Sequence, residues 1–332
     1  MSGQDFNIPA PGMTFRGIAQ FAGLVKDVME CSCPVMPNPG ERWRFRDKIA
    51  YRLPEGDGWR RVWSLLPRKA GPGPMKAVLL AGGLGTRMRE ETEFRPKPMV
   101  EIGGKPVIWH LMKFFSAYSI TDFVICVGYK GEQIKEYFLN YAAYNMDFTT
   151  TLGKSDDLVF HGDHLESDWH VTVCDTGANT LTAGRVERIE RFVEGEQFIV
   201  TYGDGLADLD VSKLLAFHAE RGRKATITTV RPLSRFGLVD VEDTVVTRFR
   251  EKPQIDDWVS AGFFVFEPSV FEYLRQSDVM MLEDEPLVRL AAERELAAYR
   301  HDGFWQPMDT YRESILLNDM WDQGAAPWKV WK

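Results

Sequence analysis

Gly82, Gly83 and Gly85, followed by Arg87 and Lys97, have the residue types and spacing of a cradle for a polyphosphate. Glycines allow positive φ and close backbone approach, so successive N–H groups can turn inward on an anion. Arg87 follows two residues after the last glycine, and Lys97 is held between Pro96 and Pro98. Further on stand two carboxylates. Asp204 ends an apolar run in Phe198-Ile199-Val200-Thr201-Tyr202-Gly203-Asp204-Gly205, and Asp309 lies in Gly303–Thr310. Mg²⁺ takes a few hard oxygens and completes its shell with substrate phosphates, so one aspartate from each of two distant segments suits it. Taken singly, each could be a turn or helix-cap aspartate, Asp309 above all. Tyr-Gly-Asp-Gly ending an apolar run is more telling, because glycine on both sides frees space for metal and phosphate.

Two better-known phosphate loops are excluded. The dinucleotide fingerprint G-x-G-x-x-G fails because Met88 stands where the third glycine belongs. The P-loop fails because Gly85 is followed by Thr86-Arg87 rather than Lys-Ser/Thr. From the glycines alone, an ordinary turn between strand and helix remains open.

The longer pattern Leu80-Ala81-Gly82-Gly83-Leu84-Gly85-Thr86-Arg87-Met88, with Lys97-Pro98-Met99 downstream, resembles the signature of the sugar-phosphate nucleotidylyltransferases. The resemblance covers residues 75–332. It implies that Leu80, Ala81, Gly82, Gly83, Leu84, Gly85 and Thr86 line the substrate site together with Gly203, and that Thr180 and Arg185 contact the nucleotide. It implies that Asp204 and Asp309 hold Mg²⁺, and that Lys252, in Glu-Lys-Pro, lines the sugar-phosphate site. Arg87 would steady departing pyrophosphate, Lys97 the phosphates at the reacting centre, and Lys252 the incoming sugar phosphate. No general base is needed, because the attacking sugar phosphate is already an oxyanion near neutral pH.

Within the family, Thr201–Asp210, His301–Thr310 and the C-terminal Ala326-Pro327-Trp328-Lys329-Val330-Trp331-Lys332 are similar to members that use CTP and glucose 1-phosphate. The partners implied are therefore CTP and a hexose 1-phosphate, in a homo-oligomer serving polysaccharide biosynthesis. One departure stands out: Ser260-Ala261-Gly262 replaces the family's usual Asn-Gly-Gly, which bears on sugar choice. The rival readings are the same chemistry with UTP, dTTP or another hexose, and a non-catalytic sugar-nucleotide sensor. A sensor has no use for Arg87, Lys97, Asp204 and Asp309 together.

These residues need rigid elements to hold them. Ala77–Ala81 reads as a strand buried on both faces, and from Met75 onward strands alternate with helices. Strands are expected at Asp122–Val127, Val171–Val173, Ala225–Val230 and Gly262–Phe266, and within Phe198–Gly205 with Asp204 at its C-terminal end, with a β-excursion over 238–250. Helices are expected from Pro106 to about Ala117, then at Gly131–Leu139, Val211–Glu220, Pro268–Leu274, Pro286–Glu293 and Tyr311–Trp321, with Thr180–Arg185 as a polar loop. The fold class is α/β: a mostly parallel central sheet with flanking helices, the Rossmann-like fold of nucleotide-diphospho-sugar transferases. Residues 140–170 carry His161, His164 and His170 but no partner spacing for zinc.

Composition sets the outer bounds. Net charge is −8, yet residues 1–74 hold eleven Lys/Arg against seven Asp/Glu, which leaves −12 for the rest. An acidic body argues against nonspecific nucleic-acid binding. No apolar run approaches the roughly 20 residues that span a bilayer, and the start lacks a signal peptide, so the expected compartment is the cytoplasm. Residues 1–74 contain nine of the 18 prolines and nine of the 28 glycines. They read as an N-terminal extension, poorly ordered or upstream of the true start, because family members usually begin at the residue matching Met75.

Overall fold

The computed structural model describes residues 75–83, 85, 88, 94–152, 157–162, 166–193, 195–275 and 278–331. Residues 1–74, Leu84, Thr86, Arg87 and His164 lie outside the described residues. Among those described, the central sheet has seven strands: β1 Lys76–Ala81, β2 Asp122–Val127, β3 His170–Asp175, β4 Phe198–Tyr202, β5 Ala225–Val230, β6 Val259–Phe266 and β7 Leu296–Arg300. Their order is β7-β5-β6-β4-β1-β2-β3, and only β6 runs antiparallel to its neighbours.

Side-chain alternation sends β1 into two cores. Ala77, Leu79 and Ala81 pack on one face of the sheet, and Val78 and Leu80 on the other. The expected two-sided burial of β1 therefore holds, with helices covering each face. The chain runs from β1 outward through β2 to β3, then returns to place β4 on the other side of β1. That reversal opens a crevice at the carboxyl ends of β1 and β4, where ligands bind in open α/β sheets.

Several expected elements appear almost as read, among them helices Gly131–Leu139, Val211–Arg221 and Tyr311–Asp322. Asp210 caps the second by accepting a hydrogen bond from the Lys213 N–H at 3.0 Å, and Gly222 ends it at φ 57°. Others differ. Thr180–Arg185 is not all loop: Thr182–Arg188 is helical, because Ala183, Arg185 and Val186 turn inward together. Pro268–Tyr273 is a 3₁₀ helix rather than an α-helix. Residues 140–170 hold a short helix, Tyr141–Asn145, and a hairpin of Asp147–Thr150 with Leu158–His161. Strand β7 lacks an apolar alternation because it is a half-exposed edge, which is why its sequence gives no signal.

Helix Val107–Ser116, expected from Pro106, buries nearly all its surface rather than one amphipathic face. The C-terminal tryptophans cover the remainder: Trp321 meets His110 edge-on with ring centres 4.7 Å apart, and Trp331 meets Trp109 at 5.9 Å. Both nitrogens of His110 are committed. Its Nε2–H donates to the Ile102 carbonyl at 2.8 Å, and its Nδ1 accepts from the Trp328 indole N–H at 3.4 Å. Trp328 can only donate, so a proton on Nδ1 would break that bond.

Burial accordingly pushes the His110 imidazole down to about 4. With the folded value below the unfolded one, this stability is present above about pH 6.5 and is lost as pH falls toward 4. The loss is about 3 kcal/mol. Denaturant titrations of the wild type and His110→Asn at pH 7 and pH 4 should show that difference; parallel pH curves would show that His110 is not the acid-sensitive group.

Candidate active site

The strand-to-loop junctions of β1 and β4 fix the site backbone. The Gly203 N–H donates to the Leu80 carbonyl at 3.0 Å. A side chain at Gly203 would come within 2.9 Å of that carbonyl and 3.1 Å of Pro98, so only glycine lets the strand ends meet. Beyond Gly203, residues Gly205–Ala207 pair antiparallel with Trp305–Pro307, in a register that sets Gly205 opposite Pro307. The Met308 N–H donates to the Asp204 carbonyl at 2.9 Å and extends that ribbon by one step. Asp204 and Asp309 therefore leave the same end of one ribbon.

Lys97 enters from a 3₁₀ turn, Lys97–Met99, whose entry is set by Pro96 and whose Pro98 is buried. Its ammonium donates to Asp204 Oδ2 at 2.5 Å and to Asp309 Oδ1 at 2.8 Å. Burial alone would lower its titration, but the two carboxylates outweigh burial and hold Lys97 above its ordinary value. It is cationic at any working pH.

Asp309 does not cap the helix that follows it. Thr310 is the cap, closing a box with Glu313, whose Oε2 accepts from the Asp309 and Thr310 N–H groups at 2.6 and 2.8 Å. The Asp309 carboxylate is thereby directed to the site instead.

Arg185 lies beneath the glycine turn and is 3% exposed. Its Nη1 donates to the carbonyls of Val127 and Gly177 at 3.2 and 2.9 Å and to the Thr176 hydroxyl at 2.7 Å, and its Nη2 donates to the Gly82 carbonyl at 2.8 Å. Burial pulls its titration below the ordinary guanidinium range. A Cβ at Gly82 would lie 2.2 Å from Nη1, and one at Gly128 2.6 Å from it. These glycines admit the guanidinium. Gly85 takes φ 62°, while Gly83 is exposed with open space beside it. Thr180 is buried next to Gly177.

The structure thus gathers Lys97, Asp204 and Asp309, and sets Leu80, Ala81, Gly82, Gly203 and Arg185 around the adjoining strand ends. Lys252 stands just past the β-excursion, half-exposed and 3.5 Å from Glu251. Sequence reasoning missed Arg235, whose Nη2 lies 3.6 Å from Asp309 Oδ2 and 3.1 Å from Glu313 Oε1. Nothing in the string Ser234-Arg235-Phe236-Gly237 separates it from a surface arginine. At the departure noted above, the Gly262 N–H donates to Ser260 Oγ at 3.2 Å and the Trp305 indole donates to the Ala261 carbonyl at 2.9 Å. The altered triplet therefore abuts the ribbon that carries the aspartates.

Two convergent carboxylates suit a hard divalent cation that keeps water and phosphate in its shell. Among the described residues no cluster of three or more His, Cys, Asp or Glu could hold a metal by itself. His161 bonds Thr149 at 2.8 Å. Nor is any described helix long and apolar enough to cross a membrane.

A model of the nucleotidyl transferase family matches residues 76–310. Glucose-1-phosphate cytidylyltransferases of Salmonella typhi and Salmonella typhimurium are 48% identical over 260 residues, 78% of this chain and 100% of theirs. A UDP-glucose pyrophosphorylase complexed with UDP-glucose superposes with a TM-score of 0.54 at 17% identity, over 75% of this chain and 99% of that one, which is a likeness of fold. From Lys76 to Thr310, this chain belongs to the nucleotidyl transferase family, alongside the glucose-1-phosphate cytidylyltransferases.

Proposed function

We propose that this enzyme transfers the cytidylyl group of CTP to α-D-glucose 1-phosphate, giving CDP-glucose and pyrophosphate. The observation that carries the reading is the Lys97 ammonium clamped between Asp204 and Asp309 at the mouth of β1 and β4. The 48% identity to cytidylyltransferases supports the choice of nucleotide and sugar.

In this reading a phosphate oxygen of the sugar attacks the α-phosphorus, and the bond from that phosphorus to the bridging oxygen breaks. The electron pair leaves with pyrophosphate. The chain's task is alignment and charge neutralisation. Lys97 neutralises the phosphates at the reacting centre, and the backbone around Gly82 and Gly203 leaves room for them to approach. Asp204 and Asp309 would hold Mg²⁺, which when bound screens phosphate charge. The family's use of that ion and the hard-oxygen donors both fit.

Pyrophosphate release with glucose 1-phosphate and each of CTP, UTP, dTTP and GTP tests the assignment. Cytosine presents an amine donor where uracil presents an acceptor, so a polar pocket set for one leaves groups unpaired with the other. CTP should lead in kcat/KM by at least about a hundredfold. Equal use of UTP would refute the cytidylyl assignment, and no release with any of the four would refute the transferase.

A further inference from the structure

Asp309 sits between two cations: Lys97 on Oδ1 at 2.8 Å and Arg235 on Oδ2 at 3.6 Å. The first comes from the nucleotide half, beside the glycine turn. The second comes from the β-excursion, where Leu238–Glu242 pairs with Val245–Arg250. The base of that excursion is laced across its two chains. Leu233 bridges Gln254, the Ser234 N–H donates to the Pro253 carbonyl at 2.8 Å, and the Ile255 N–H donates to the Pro232 carbonyl at 3.0 Å. Arg235 and Lys252 thus belong to one backbone unit, each one residue beyond a laced position.

Arg235 is not consumed by its present partners. Among the described residues only its Nη2 is engaged, with Glu313 at 3.1 Å and Asp309 at 3.6 Å, and 57% of its side chain is exposed. A guanidinium presents five N–H donors in a planar fork, so the Nε and Nη1 edge remains to grip a phosphate by two bonds. Lys97 occupies one carboxylate oxygen of Asp309, which leaves the Arg235 side for the second anionic substrate.

We propose that Arg235 is a ligand of the sugar phosphate, a phosphomonoester dianion, and that the excursion delivers it together with Lys252. Swinging from Glu313 to the phosphate costs only an exposed ion pair, which is worth about 0–1 kcal/mol. The gain is a charge-assisted pair at the nucleophile. This inference rests on the nucleotidylyl-transfer reading above.

The test is steady-state kinetics of Arg235→Ala and Arg235→Lys, paired with the thermal shift that glucose 1-phosphate alone produces in each protein. Expected for Arg235→Ala is a rise of about tenfold or more in KM for glucose 1-phosphate, about 1.4 kcal/mol, with KM for CTP within twofold. The thermal shift by glucose 1-phosphate should shrink, and Arg235→Lys should recover part of both effects. A rise in KM for CTP alone would reassign Arg235 to the triphosphate. Unchanged constants in a protein that still releases pyrophosphate would leave it a surface ion pair and overturn the proposal. If the wild type releases no pyrophosphate, the transferase reading fails instead; the thermal shift then judges Arg235 separately.

Discussion

Asp204→Asn and Asp309→Asn are each expected to lower kcat by about a thousandfold or more, about 4 kcal/mol in the barrier, with the fold retained. The substitution keeps shape and removes one negative charge. An amide oxygen is a poorer donor to a hard divalent cation than a carboxylate oxygen. Lys97 explains why the fold survives. Its ammonium touches both carboxylates, so either variant leaves it one anionic partner. Losing one carboxylate should lower its titration from the raised position, while the remaining one still opposes burial.

The double variant should lose little beyond the worse single one, because groups that act as a unit are not additive in rate. Pyrophosphate release at saturating CTP and glucose 1-phosphate, across a Mg²⁺ titration, reads the effect; thermal melts confirm the fold. A near-wild-type rate in either variant at high Mg²⁺ would remove that aspartate from the shared role.

Both aspartates are legible in the sequence, for different reasons. Asp204 follows a buried apolar strand and stands between two glycines, which sets it apart from an ordinary turn aspartate. Asp309 alone is ambiguous with a cap, and only Thr310 and Glu313 resolve it: a complete capping box leaves the preceding carboxylate unused by the helix. What cannot be read is the pairing of Gly205–Ala207 with Trp305–Pro307, a contact between segments about a hundred residues apart in the chain. That register is what brings the aspartates together. The same limit hides Arg235, whose meaning depends wholly on the non-local neighbour it reaches. Residues 140–170 are illegible because their hairpin is exposed and mixes polar with apolar residues on both faces. The alternating strands of the central sheet are legible because burial on two faces leaves uninterrupted apolar runs.

Resemblance singles out Arg185 as a nucleotide contact, and the geometry around it gives it a structural duty. Its guanidinium bonds the carbonyls of Gly82, Val127 and Gly177, so it ties together the chain at the ends of β1, β2 and β3. Removing it strands buried acceptors, each costing about 1–3 kcal/mol, partly relieved by water entering the gap. Arg185→Ala should therefore destabilise the protein by about 3–5 kcal/mol, a loss larger than a surface arginine could give. Arg185→Lys should recover less than half, because a single ammonium cannot span acceptors on several loops.

The mechanism has a sharper signature at Gly82, where an added methyl would lie 2.2 Å from Arg185 Nη1. Gly82→Ala should be strongly destabilising while Arg185 is present and nearly neutral in the Arg185→Ala background, a coupling of about 1–3 kcal/mol in a double-mutant cycle. Denaturant unfolding of the four proteins supplies the cycle. Additive losses would mean that the glycine is required by the turn itself, and that Arg185 merely occupies space the turn leaves.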